Sequence, residues 1–128
     1  STCWHVIDPG HKIFSPTMKP THNNHPCAKW VRESTGNYEW LSQLALELCK
    51  EYTHRYGKVH KTQAAIVELA LNIPPLPSCV MTRFPLAMPD EFKTDQVVKS
   101  YRLYYKYGKK HLHAWKDRDV PRFIRQVP

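Results

Sequence analysis

Apolar positions recur at helical spacing over most of the chain. From Asn37 to Tyr56 they fall at Leu41, Leu44, Ala45, Leu48, Cys49, Tyr52 and Tyr56, steps of three and four that mark one face of a long helix, and Gly57 stands where a C-terminal cap belongs. The preceding stretch "HPCAKWVRES" reads as a short helix. Asn23 or Asn24 would cap it, Pro26 suits its first turn, and Ala28, Trp30 and Val31 give it apolar surface before Gly36 interrupts and Asn37 restarts. A third helix is expected from a Thr62 cap through Ala65, Ile66, Leu69 and Ala70 to about Asn72. Residues 72–93 then carry five prolines, which no helix interior accommodates. This segment reads as an extended crossing, and Leu76, Val80, Phe84, Leu86 and Met88 make it apolar enough to pack. Asp95 would cap a fourth helix from about Gln96, with Val97, Val98, Tyr101, Tyr104 and Tyr105 on one side, bending at Gly108 and resuming to Trp115. No useful period-two alternation occurs. The pattern predicts an all-α chain, residues 1–128 forming a compact single domain of about four helices with a long proline-rich crossing segment.

Composition narrows this reading. With 128 residues, 41% apolar and 23% charged, the chain can bury its own core. No apolar run approaches the roughly 18 residues that a membrane span needs, so no membrane partner is expected. Cys3, Cys27, Cys49 and Cys79 lie far apart with no Cys-x-x-Cys pair, the usage of reduced thiols in a cytoplasmic protein. The net charge is +8, and its location is informative. Residues 93–128 hold ten Lys or Arg against three acids, a net of +7. A field of one sign concentrated in one region attracts polyanions.

Two motifs carry candidate chemistry. In "THNNHPCAKWVRES", His22, His25 and Cys27 are atoms that bind zinc, but structural zinc sites pair their ligands as two close couples and the second couple is missing. No metal and no cofactor are expected. The alternatives are that the stretch satisfies the exposed amides of a helix start, or that Asn24, His25, Arg32 and Glu33 line a polar pocket at the first helix. In the fourth helix Lys99, Arg102, Lys106, Lys109 and His113 recur at three- and four-residue steps, one basic stripe if the helix continues, flanked by Tyr101, Tyr105 and Tyr107. Like charges at this spacing repel, so such a stripe is better explained by a phosphate backbone than by helix stability. "RYGKVHK" adds a second patch with Arg55, Lys58, His60 and Lys61, where the cations also suit the end of the long helix.

"THNNHPCAKWVRES", "NYEWL", "EYTHRYGKVHK", "LAMPDEFK" and "SYRLYY" together resemble a family of small phage and bacterial proteins with little assigned function, over about residues 17–118. More distantly, the order of long helix, proline-rich crossing and tyrosine-rich basic helix is similar to the phage pyrimidine-dimer DNA glycosylases (endonuclease V), with "YYKYGK" the closest local match. That resemblance implies a DNA repair or modification enzyme of the N-glycosylase/AP-lyase kind, acting in the host cytoplasm on a damaged or modified base in double-stranded DNA. The alternative is a non-catalytic nucleic-acid-binding or virion-associated protein. The family's nucleophile is an N-terminal amine. Here "STCWHVIDPG" reads as the end of a helix whose beginning the relatives carry upstream, so no position inherits that role. The candidate amines are Ser1 and the clustered Lys58, Lys61, Lys109 and Lys110. Glu33 is the candidate carboxylate, with Arg32, His25 and Asn24 as its neighbours in a catalytic set. Arg55, Lys58, His60, Lys61, Lys99, Arg102, Tyr105, Lys106, Lys109 and Lys110 are the expected DNA contacts.

Overall fold

A computed structural model describes residues 2–8 and 19–126, without the side chain of His5. The chain is all-α. It divides into two compact units, residues 1–83 and 84–128. Among the described residues the first unit holds α1 (Thr2–Ile7), α2 (Pro26–Val31), α3 (Thr35–Tyr56) and α4 (Gln63–Leu71), and no helix is long and apolar enough to cross a membrane.

The long helix forms where its apolar period predicts, and Gly57 closes it in the left-handed conformation at φ 66°, donating its N–H to the Thr53 carbonyl at 2.8 Å. Its start differs from the expectation. Ser34 is the N-cap, accepting from Asn37 N–H at 3.0 Å, so Gly36 and Asn37 lie inside the first turn instead of breaking it. The reason is a close backbone approach. A Cβ on Gly36 would meet Met81 N at 2.8 Å and the Cys79 carbonyl at 2.9 Å, so only glycine lets residues 79–81 pass over α3. Asn37, fully buried, secures that crossing. Its amide donates to the Trp30 carbonyl at 2.8 Å and Thr82 Oγ1 at 2.9 Å, and its Oδ1 accepts from Thr82 N–H at 2.9 Å. The proline-rich segment therefore packs here through polar bonds and the buried Pro74, while Val80 and Met81 stay exposed.

Around this seam the core of the first unit is Cys3, Trp4, Trp30, Val31, Tyr38 and Cys49. Tyr38 ties three helices together. Its hydroxyl accepts from Trp4 Nε1 at 3.1 Å and donates to the Leu69 carbonyl at 2.6 Å, at the end of α4. No cysteine is bonded to another.

The second unit is organised around α5 (Val97–Leu103), and Asp95 does not cap it. Thr94 Oγ1 accepts from Gln96 N–H at 3.1 Å, and the fully buried Ser100 Oγ accepts from Thr94 N–H at 2.8 Å. After Leu103 the helix widens into a π turn over Tyr104–Gly108, followed by a 3₁₀ turn at Lys110–Leu112, so the regular helix does not resume to Trp115. A short α6 (Arg122–Arg125) follows Pro121. Tyr101 faces inward, donating to the Pro85 carbonyl at 2.6 Å. Val98, expected on the same side, is 60% exposed.

Candidate nucleic-acid interface

The π turn decides where the cations of the second unit go. An α-helix carries side chains at three- and four-residue steps up one face, but a π turn spends more residues per turn and shifts everything beyond it. Lys99, Arg102 and Lys106 still share a face. They line a cavity of about 420 Å³ with Gln96, Val98, Leu103, Tyr107, Phe123 and Gln126. Lys109 leaves the stripe, and its ammonium sits 5.1 Å from the centre of the Tyr104 ring, which packs edge-on against Phe92. His113 leaves it too, turned inward between Tyr105 and Trp115 at ring separations of 5.0 and 5.2 Å. The five-residue stripe is thus a three-residue groove.

α6 supplies the other wall. Arg102 lies over the Phe123 ring at 5.4 Å, Lys106 Nζ donates to the Gln126 carbonyl at the end of α6, and Arg122 joins Arg102 around a second, polar hollow of about 610 Å³. Among the described residues no Asp or Glu lines these cavities, and none of Lys99, Arg102, Lys106 and Arg122 forms an ion pair. Over residues 84–128 the balance is ten cations to five acids, a net of +5. Of those acids Asp90 pairs with Lys93 at 2.8 Å, which holds its carboxyl below the usual range.

Tyr105, expected to contact DNA, packs on His113 and Phe123. Tyr107 faces the groove instead, 42% exposed, with Lys106 and Lys110 ammonium groups 5.5 and 5.8 Å from its ring centre. Phe123, Arg122 and Gln126 were absent from the expected contacts. Their only sequence signal is Pro121 ahead of "RFIRQ", a helix start too short to show a period.

In the first unit the second basic patch is divided by its own bonds. Arg55 pairs with Glu51 at 3.0 Å, and His60 packs edge-on against Tyr52 and accepts from Thr62 N–H at 3.1 Å; Thr62 precedes α4 as expected, but its side chain makes no capping bond. Lys58 and Lys61 remain exposed.

The residues of the proposed catalytic set serve the local fold. His25, not an asparagine, caps α2, its Nδ1 accepting from Cys27 N–H at 3.1 Å, while its own N–H donates to the His22 carbonyl at 3.0 Å across a turn. Arg32 ends α2 and donates from Nη2 to the Asn23 carbonyl at 2.7 Å, holding the same turn from the other side. Glu33 lies beyond the helix, not on its polar face. Its Oε2 accepts from Thr82 Oγ1 at 3.1 Å, and neither Arg32 nor Lys29 pairs with it. Asn24 is exposed at the turn. Among the described residues no three His, Cys, Asp or Glu side chains gather as a metal-binding group. Ser1 lies outside the described residues.

Comparison with protein-family models, with curated proteins and with solved structures finds no match to this chain.

Proposed function

We propose that this protein binds nucleic acid, DNA by the resemblance of its sequence, through the basic groove between α5 and α6. The observation that carries the reading is three cations, Lys99, Arg102 and Lys106, converging on one groove that, among the described residues, no Asp or Glu lines. Unpaired cations held close together repel one another, a cost that a polyanion removes. The groove also combines charge with aromatic and aliphatic surface from Tyr107, Phe123 and Val98, a lining that suits a nucleotide better than a bare phosphate ion. Base excision by an amine and a carboxylate rests on the resemblance alone.

The test is a salt titration of binding to a mixed-sequence DNA duplex by fluorescence anisotropy. Each phosphate neutralised contributes a slope of about −0.9 in log affinity against log salt. Replacing Lys99, Arg102 and Lys106 together by Ala should weaken binding at least tenfold and flatten the slope by about 2 to 3 units. Lys109→Ala, whose ammonium is turned onto Tyr104, should change both far less. A triple variant with wild-type affinity and slope removes the groove from the interface.

A further inference from the structure

The groove does not end at Lys106. On its far side lies a second cavity, also about 420 Å³, lined by Lys106, Tyr107, Lys110, His113, Ile124, Arg125 and Gln126. The two cavities share Lys106, Tyr107 and Gln126, so Tyr107 borders both, and the residue is 42% exposed. Cations occur in both: Lys99 and Arg102 on one side, Lys110 and Arg125 on the other, Lys106 at the junction. Lys106 and Lys110 each hold an ammonium within 6 Å of the Tyr107 ring centre.

Resting on the nucleic-acid reading above, we propose that this pair of cavities is a track for single-stranded nucleic acid, with Tyr107 as the platform on which an unpaired base stacks. The argument is one of shape and charge together. A duplex keeps its bases inside a rigid cylinder and presents only phosphates and groove edges, which a flat or ridged basic surface meets well. It cannot place a base in either hollow. A single strand alternates a flat apolar base with an anionic phosphate, and the groove repeats the complement of that unit: cations, a half-exposed tyrosine, cations again. The lysines that sit against Tyr107 have flexible stems, so a stacking base can displace their ammonium groups toward its own phosphates, which for Lys106 replaces the bond to the Gln126 carbonyl by one to phosphate. Arg102 continues the track, its guanidinium already seated on Phe123.

The experiment compares a labelled single strand of mixed sequence with its hairpin duplex at equal phosphate number and equal salt, using the whole chain and the variants Tyr107→Ala, Tyr107→Leu and Tyr107→Phe. Wild type should bind the single strand at least tenfold more tightly than the duplex. Tyr107→Ala should lose about 5- to 100-fold on the single strand, the range for one stacked base, and little on the duplex. Tyr107→Leu, which keeps apolar bulk but has no flat face, should behave like Ala, and Tyr107→Phe like wild type. A 2-aminopurine in the strand should be quenched by wild type and by the Phe variant only. Equal or tighter binding of the duplex, with Tyr107→Ala affecting both forms alike, overturns the track and leaves the phosphate grip standing. Absence of binding to either form overturns both.

Discussion

Tyr38 and Cys3 are the two residues whose chemistry burial alters most, and both alterations point one way. Loss of water around the Tyr38 hydroxyl pushes its pKa up to about 12, against the smaller opposing effect of the Trp4 N–H. Burial likewise pushes the Cys3 thiol up to about 11, in spite of the positive charge of Arg32. In each case the folded protein favours the neutral form more than the unfolded chain does. Their contribution to stability is therefore complete below about pH 9 and is lost as pH rises through 9 to 12, on the order of 1 to 3 kcal/mol for each group. Urea unfolding at pH 7, 9 and 11 should show this decline. Tyr38→Phe should cost about 1 to 3 kcal/mol at pH 7, because the Leu69 carbonyl and the Trp4 N–H each lose a partner, and should make the alkaline decline shallower. Under native conditions at pH 8 the exposed Cys79 should be alkylated quickly by iodoacetamide and the buried Cys3 and Cys49 slowly. Rapid labelling of Cys3 would contradict its place in the core.

Among the elements, α3 was legible because twenty-two residues of regular period outweigh any local accident, and Gly57 marks its end by a conformation that a Cβ disfavours. The start of α3 was not. Gly36 reads locally as a break, yet it is glycine because residues 79–81 cross it, a contact more than forty positions away that no window of sequence contains. Asn37 reads locally as a cap, and the same crossing makes it a buried linker. Asn37→Ala should accordingly cost about 2 to 3 kcal/mol by removing the bonds to the Trp30 carbonyl and Thr82 Oγ1 and leaving the Thr82 N–H without its acceptor, where a mere capping residue would cost about 1. Thermal or urea unfolding decides between these sizes. The basic stripe failed for a related reason. Extrapolating an α period through Tyr104–Gly108 puts Lys109 and His113 beside Lys106, and one π turn sends both elsewhere. The concentration of cations was readable, but their register depends on the packing of Phe92, Tyr104 and Gly108, which sequence spacing does not express.

Across the whole molecule, charge and candidate chemistry fall in different units. The groove cations belong to residues 84–128, whereas Glu33, the carboxylate that a lyase would need, belongs to residues 1–83 and already accepts from Thr82. Among the described residues no Asp or Glu lines the groove cavities. A glycosylase/lyase cycle requires an amine that forms an imine with the sugar and a carboxylate that supports the cationic centre. With abasic or ultraviolet-damaged DNA, an enzyme of this kind should cut the strand and leave a covalent adduct when borohydride reduces the imine, whereas a binding protein should do neither. Glu33→Gln should then bind DNA like wild type and lose only the modest stability of its bond to Thr82, on the order of 1 kcal/mol. A borohydride-dependent adduct with strand scission would establish the enzyme. If Glu33→Gln abolished that adduct without weakening DNA binding, Glu33 would become its catalytic carboxylate; if the adduct survived Glu33→Gln and disappeared with Lys58, Lys61, Lys109 or Lys110 replaced by Arg, the amine would be identified and the carboxylate sought elsewhere.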